Sequence, residues 1–180
     1  DNVLVGVDDA PLYAATFEGE VGPEWTITLT DQTPADSRQF YGRFQNDRVE
    51  LRLGRLPPHA AVTVAFDLFI IHAWDGNAAG LPEIGPDVWQ LGLPGFAPAI
   101  RTTFSNHDGR RGTLVLNQAF PDAYPGGNRL ARTGAVENNT LGYSFTWAQP
   151  PVTLSMDAVY RLSADFPHTR DELAITFSAS

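Results

Sequence analysis

The stretch Ala61-Val62-Thr63-Val64-Ala65-Phe66-Asp67-Leu68-Phe69-Ile70-Ile71 is apolar on both of its alternating faces, with Thr63 and Asp67 as the polar exceptions. A strand with one wet face alternates polar with apolar. A run that does not alternate, and is rich in Val, Ile and Phe, predicts a central strand covered on both sides. A carboxylate inside such a strand is costly to bury alone, so Asp67 requires a partner: an arginine such as Arg101 or Arg161, or a metal ion.

On either side of this run the chain is cut into short apolar segments by sixteen Gly and fourteen Pro, scattered rather than clustered. Val49, Leu51 and Leu53 alternate with Arg48, Glu50 and Arg52, which predicts a strand with one packed and one charged face. Further strands are expected over 12–17, 24–30, 38–44, 88–93, 100–104, 112–116, 141–147, 158–166 and 173–178, with Pro167 to Asp171 as a turn between the last two. No long helix is read. Many strands without helical crossovers predict an all-β fold: an antiparallel two-sheet β-sandwich, most economically a jelly roll, spanning 1–180 as a single module. Leu56-Pro57-Pro58-His59 and Phe166-Pro167-His168-Thr169 look alike and each precede a strand, for which a shared turn is a simpler account than duplication. The strand-poor stretches 73–87 and 117–139 are the expected carriers of function, because loops on a rigid sandwich are where binding residues collect.

Composition narrows the chemistry. A hydrophobic content of 43%, including eleven Phe, excludes a disordered class, and no apolar run reaches the roughly 18 residues of a membrane-spanning helix. The net charge of -9 argues against nucleic acid, whose binding needs clustered cations. All twelve basic residues are Arg, so Schiff-base and P-loop chemistry are excluded for want of an amine. The absence of Cys removes thiol nucleophiles, zinc ribbons and disulfides. His59, His72, His107 and His168 are far apart in sequence and lack the paired spacing of zinc hydrolases, and no nucleophile elbow or dinucleotide fingerprint occurs. The chain opens at Asp1 without a charged and apolar leader, which is expected of a cytosolic fragment or of a mature or excised piece of something longer, the second fitting better with the candidate residues below.

Two kinds of candidate residue remain. Trp74-Asp75-Gly76-Asn77 offers a carboxylate, a flexible Gly and an amide oxygen, a set a hard cation such as calcium prefers; the same residues also make an ordinary Asp-Gly turn. Asp87, Asn106, Asp108, Glu137 and Asn138 lie in other loops that a sandwich gathers at one end. For sugar binding, aromatic rings stack on a pyranose face while amides bond its hydroxyls. Trp74, Trp89, Tyr124 and Trp147 are the available platforms, and Tyr124 stands out because its loop, 120–128, is rich in Pro and Gly. Asn128 in that loop, and Asn138 in Glu137-Asn138-Asn139-Thr140, supply nearby amides.

The stretch Ala15-Thr16-Phe17-Glu18-Gly19-Glu20-Val21-Gly22-Pro23-Glu24-Trp25 resembles the opening strand of extracellular jelly-roll modules, the carbohydrate-binding modules and MAM-type adhesion domains. That resemblance implies Glu18 as a calcium ligand and Trp25 as a core residue. Leu56 to His59, Val64 to Leu68, Trp74 to Asn77, Gly85 to Asp87 and Thr102 to Asn106 are together similar to uncharacterised sandwich modules of large secreted or surface proteins of bacteria. The two likenesses imply an extracellular or cell-surface binding or adhesion module, without catalysis or membrane insertion. It would sit among other domains of a larger parent and recognise a glycan or another cell-surface ligand. The expected glycan contacts are Trp74, Tyr124, Asn128 and Asn138, and a structural calcium is expected at Glu18, Asp75, Asn77, Asp87 and Asn106. A spacer or protein-interaction module, and less directly a glycan hydrolase or lyase, are the rival readings.

Overall fold

The computed structural model describes residues 1–78, 84–107, 110–111, 114–148 and 151–180, excepting the side chains of 110, 111, 114, 115, 147, 148 and 152. In chain order the strands are β1 (Val3–Val7), β2 (Ala10–Ala15), β3 (Thr30–Gln32), β4 (Gln39–Tyr41), β5 (Arg48–Gly54), β6 (Ala61–Ile71), β7 (Val88–Gly92) and β8 (Ile100–Thr103). They continue as β9 (Arg110–Arg111), β10 (Leu114–Val115), β11 (Glu137–Asn138), β12 (Ser144–Ala148), β13 (Pro151–Ser155), β14 (Asp157–Pro167) and β15 (Glu172–Ala179). Among the described residues there is no helix, and so none long and apolar enough to cross a membrane.

The apolar run 61–71 is β6, at the middle of a five-stranded sheet ordered β11-β14-β6-β1-β2. β14 pairs with it along its whole length, from Ala61 opposite Pro167 to Ile71 opposite Asp157. A four-stranded sheet, β5-β15-β7-β8, lies against the first, and all pairings in both sheets are antiparallel. Between them one core joins Val3, Val5, Val62, Val64, Phe66, Ile70, Tyr160 and Leu162 of the first sheet to Val49, Leu51, Trp89, Leu91, Leu173 and Ile175 of the second. Each of these contributors is buried because its strand presents alternate residues inward. The fold is therefore an all-β antiparallel sandwich.

The outer face of β6 is less covered than its composition predicts. Thr63, Ala65, Phe69 and Ile71 are half-buried, and each outward polar group there has a cross-strand partner. Thr63 donates to Asp165 at 2.7 Å. Asp67 accepts from Arg161 Nε at 2.9 Å and from Asn2 Nδ2 at 2.9 Å. Arg161 sits directly opposite Asp67 in the register, which is how the sheet satisfies the carboxylate that had to be paired.

β9, β11 and β13 form where no strand is expected, β3 lies almost wholly beyond the expected 24–30, and two further departures bear on the two main sheets. Val3–Val7 forms β1, between β2 and β6, although no strand was expected there. Residues 24–29 make only a bridge, Trp25 to Leu51, which with Thr26 N–H to Glu50 O and Arg52 N–H to Glu24 O covers the free edge of β5, and Thr30 opens β3. The links from β5 to β6 and from β14 to β15 cross between the sheets side by side, with Leu56 N–H donating to Asp171 O at 2.9 Å and His168 N–H to Ala60 O at 3.1 Å. This doubled ribbon is the unit from which jelly rolls are wound, but the complete jelly-roll wrap is not among the described pairings.

Candidate functional site

At the end of the sandwich opposite this ribbon the strands separate, and the segment 29–47 closes over the gap as the short β3–β4 sheet and the turn after it. The result is a cleft of about 850 Å³ lined by residues of both sheets and of this flap. Its floor is Phe66 and Trp89, both buried, with ring centroids 5.5 Å apart. Tyr41, Phe44, Phe69, Trp74 and Phe177, all half-buried, present rings along its walls. Tyr41 is held in place by stacking on Phe17 at 4.7 Å and by its hydroxyl, which donates to Ile27 O at 2.6 Å. Aromatic rings kept partly exposed by neighbours that fix their orientation are what a binding wall needs and what a core does not.

Polar groups converge at the rim. Arg43 Nε lies 2.8 Å from Asp31 Oδ2 and Arg43 Nη1 lies 3.0 Å from His72 Nε2, so one guanidinium ties the flap to the end of β6. Asp87 lines the opposite side beside Trp74. Its carboxyl is pushed up to about 6, chiefly by burial, with the charge of Asp75 adding to the effect and the hydrogen bond from the Asp75 backbone opposing it. With Asp31, Asp47 and Asp67 also in the lining against Arg43, the cleft is acidic and suited to neutral or cationic ligands rather than anionic ones.

Behind Asp87 the two strand-poor stretches meet. Gly76 takes φ +64°, and a Cβ there would stand 2.2 Å from Asn117 O; Asn77 N–H donates to that same carbonyl at 2.7 Å. Asp75 is buried, bridges to Ser105, donates its N–H to Asp87 Oδ2, and has Oδ1 2.9 Å from His107 Nε2. Asn77 Oδ1 accepts from Thr103 Oγ1 at 2.6 Å. Asn106, fully buried, donates Nδ2 to the carbonyls of Ile70, His72 and Met156. Gln118, equally buried, accepts at Oε1 from Ser105 N–H, Arg132 N–H and Tyr160 Oη, and donates Nε2 to the carbonyls of Phe120 and Thr133. Such side chains take the place of a missing ladder, because backbone groups buried in a loop still need partners.

Of the five residues expected to hold calcium, Asp75, Asn77, Asp87 and Asn106 come together in this corner, while Glu18 is exposed on another loop near Gln39. The amide oxygen of Asn77 and one oxygen of Asp87 already accept hydrogen bonds, and Asn106 is oriented by its three carbonyl partners. Among the described residues no three His, Cys, Asp or Glu side chains are grouped to hold a metal ion. Of the expected glycan contacts, Trp74 lines the cleft. Tyr124 is packed against β8, with Arg101 over its ring at 5.1 Å and Arg101 Nη1 donating to its carbonyl at 2.7 Å. Asn128 is exposed and accepts from Asn117 Nδ2 at 2.8 Å, and Asn138 is exposed on β11 at a sheet edge. Asp108 and the Trp147 side chain lie outside the described residues. Sequence reasoning missed Tyr41, Phe44, Phe69 and Phe177, since nothing in their types separates a wall aromatic from a core aromatic. Comparison with protein-family models, curated proteins and solved structures finds no match, so the geometry alone carries the functional argument.

Proposed function

We propose that this chain is a non-catalytic ligand-binding or adhesion module of an exported protein, acting outside the cell or at its surface, and that its ligand is a glycan held in the open-end cleft. The observation that supports the reading is the cleft itself. Its volume of about 850 Å³ falls within the roughly 300–1,000 Å³ of small-ligand sites, and partly exposed rings alternate along it with Arg43, His72 and Asp87. Rings give a pyranose its apolar platform, and the charged rim gives its hydroxyls partners. The acidic lining selects neutral or amino sugars over sulfated or uronate chains. Calcium belongs to this reading only through Asp75 and Asp87, whose like charges a cation would offset, and melting in calcium against EDTA measures that part separately.

The test is tryptophan fluorescence and calorimetric titration with a panel of neutral, amino and acidic oligosaccharides. Saturable binding that Trp74→Ala weakens roughly tenfold or more is the expected result. No binding by any sugar at millimolar concentration would replace the reading with that of a spacer or protein-interaction module. Release of reducing ends would replace it with that of a hydrolase.

A further inference from the structure

The two look-alike segments, 56–59 and 166–169, are far apart in the chain and adjacent in space. Each begins a crossover of the doubled ribbon, and their backbones are tied by the Leu56 to Asp171 and His168 to Ala60 hydrogen bonds. The shared turn brings His59 onto His168, with ring centroids 5.0 Å apart and planes inclined by 16°. His59 Nε2 is 2.7 Å from His168 Nδ1. The other nitrogen of His59, Nδ1, lies 2.6 Å from Pro57 O. A carbonyl can only accept, so Nδ1 carries the proton, and in the neutral ring Nε2 is a bare lone pair aimed at its neighbour. Both side chains are half-buried and reachable from solvent.

We propose that His59 and His168 form a two-histidine site for a divalent cation that favours imidazole, Zn²⁺, Ni²⁺ or Cu²⁺, clamping the two crossovers together. Imidazole nitrogen suits these ions, and a ligating His characteristically donates its second nitrogen to a carbonyl or carboxylate, as His59 does to Pro57. Two bonds of roughly 2.0–2.1 Å at a tetrahedral centre need the nitrogens about 3.3 Å apart, so from 2.7 Å the pair opens by about 0.6 Å and each ring turns its lone pair toward the ion, within reach of rotation at half-exposed side chains. His168 changes tautomer as it binds, its proton moving from Nδ1 to Nε2, and water completes the coordination. Asp8 reinforces the site: its carboxylate accepts from the backbone N–H groups of Ala60 and Ala61 at 3.0 and 2.9 Å and places a negative charge beside His59. Arg170 is the opposing charge.

The experiment uses tag-free protein stripped with EDTA and dialysed, then titrated with ZnCl₂, NiCl₂ and CuCl₂, with MgCl₂ as the control. The expected result is one ion per chain and, with free metal at about 100 times Kd, a melting temperature higher by roughly 5–10 °C. His59→Gln and His168→Gln each remove the rise, and the copper complex gives a spectrum split by two imidazole nitrogens. If either variant fails to fold, that spectrum of the wild-type protein decides. A rise or stoichiometry that persists in the folded double variant, a spectrum with fewer than two nitrogens, or no binding at millimolar metal overturns the proposal.

Discussion

The two ends of the sandwich solve the same problem differently. At the ribbon end the chain crosses between sheets twice, side by side, and backbone pairs with backbone; the side chains left over are a histidine pair in nitrogen-to-nitrogen contact and the Asp8 cap. At the cleft end the strands run out into longer connections, and buried side chains satisfy the backbone: Gln118 inside the connection at Phe120 and Thr133, Asn106 at the strand ends Ile70, His72 and Met156, and Asp157 at Leu141 and Tyr143. Crossing in parallel tracks closes an end; crossing by long loops leaves space between the sheets and requires polar struts to hold it open. The cleft is the product of the second solution, and its walls are only as well placed as those struts.

Glycine substitutions at the two ends are expected to differ most in their effect on stability. Gly76→Ala at the cleft end must place a Cβ 2.2 Å from Asn117 O in a left-handed backbone, and is expected to cost about 3 kcal/mol. Gly54→Ala at the ribbon end meets nothing within 4 Å and is expected to be neutral, or to stabilise by up to about 1 kcal/mol. Urea unfolding of both variants gives the contrast; equal effects would mean that the two loops do not bear on each other as described. Next in size is Gln118→Leu, which leaves Ser105 N–H, Arg132 N–H and the carbonyls of Phe120 and Thr133 without this partner. A loss of about 2–3 kcal/mol is expected, with weaker oligosaccharide binding if the strut positions the wall.

The contrast also divides what the sequence makes legible. β6 is found with its bounds at Ala61 and Ile71, and β5, β7, β14 and β15 within a residue or so, because their side-chain patterns report sheet faces directly. β1 escapes because Val3, Val5 and Val7 alternate with Leu4 and Gly6, so no polar face marks the strand. The loop residues Asp75, Asn77, Asp87 and Asn106 are recognisable as a group that a sandwich gathers at one end. Whether an amide oxygen faces a cation or a backbone N–H depends on which loop lies opposite, and residue type says nothing of that. Likewise Leu56 to His59 and Phe166 to Thr169 look like a shared turn in the sequence, while the contact between their histidines requires the register of β6 against β14.

The smallest expected effect is also the one that separates the two ends by sign. In the folded chain Asp87 keeps its proton up to about pH 6, against an ordinary value of 3.8, so between these pH values the folded state binds more protons than the unfolded one. Its contribution therefore becomes less favourable as pH rises through that window and bears its full cost above it. Asp87→Asn, which keeps an acceptor for the Asp75 N–H, is expected to stabilise at pH 7 by about 1 kcal/mol, a figure reduced for the partial exposure of the group. His168 works in the opposite sense. With its folded value held below 6.5, the unfolded state binds more protons as pH falls past that point, and stability is lost. Urea midpoints between pH 4.5 and 7.5, in EDTA, should thus fall more steeply on acidification in Asp87→Asn than in wild type, and less steeply in His168→Gln. Parallel profiles for Asp87→Asn and wild type would mean that the Asp87 carboxyl stands in water rather than against the buried corner, and the corner would not be the closed wall of the cleft that its hydrogen bond from Asp75 describes.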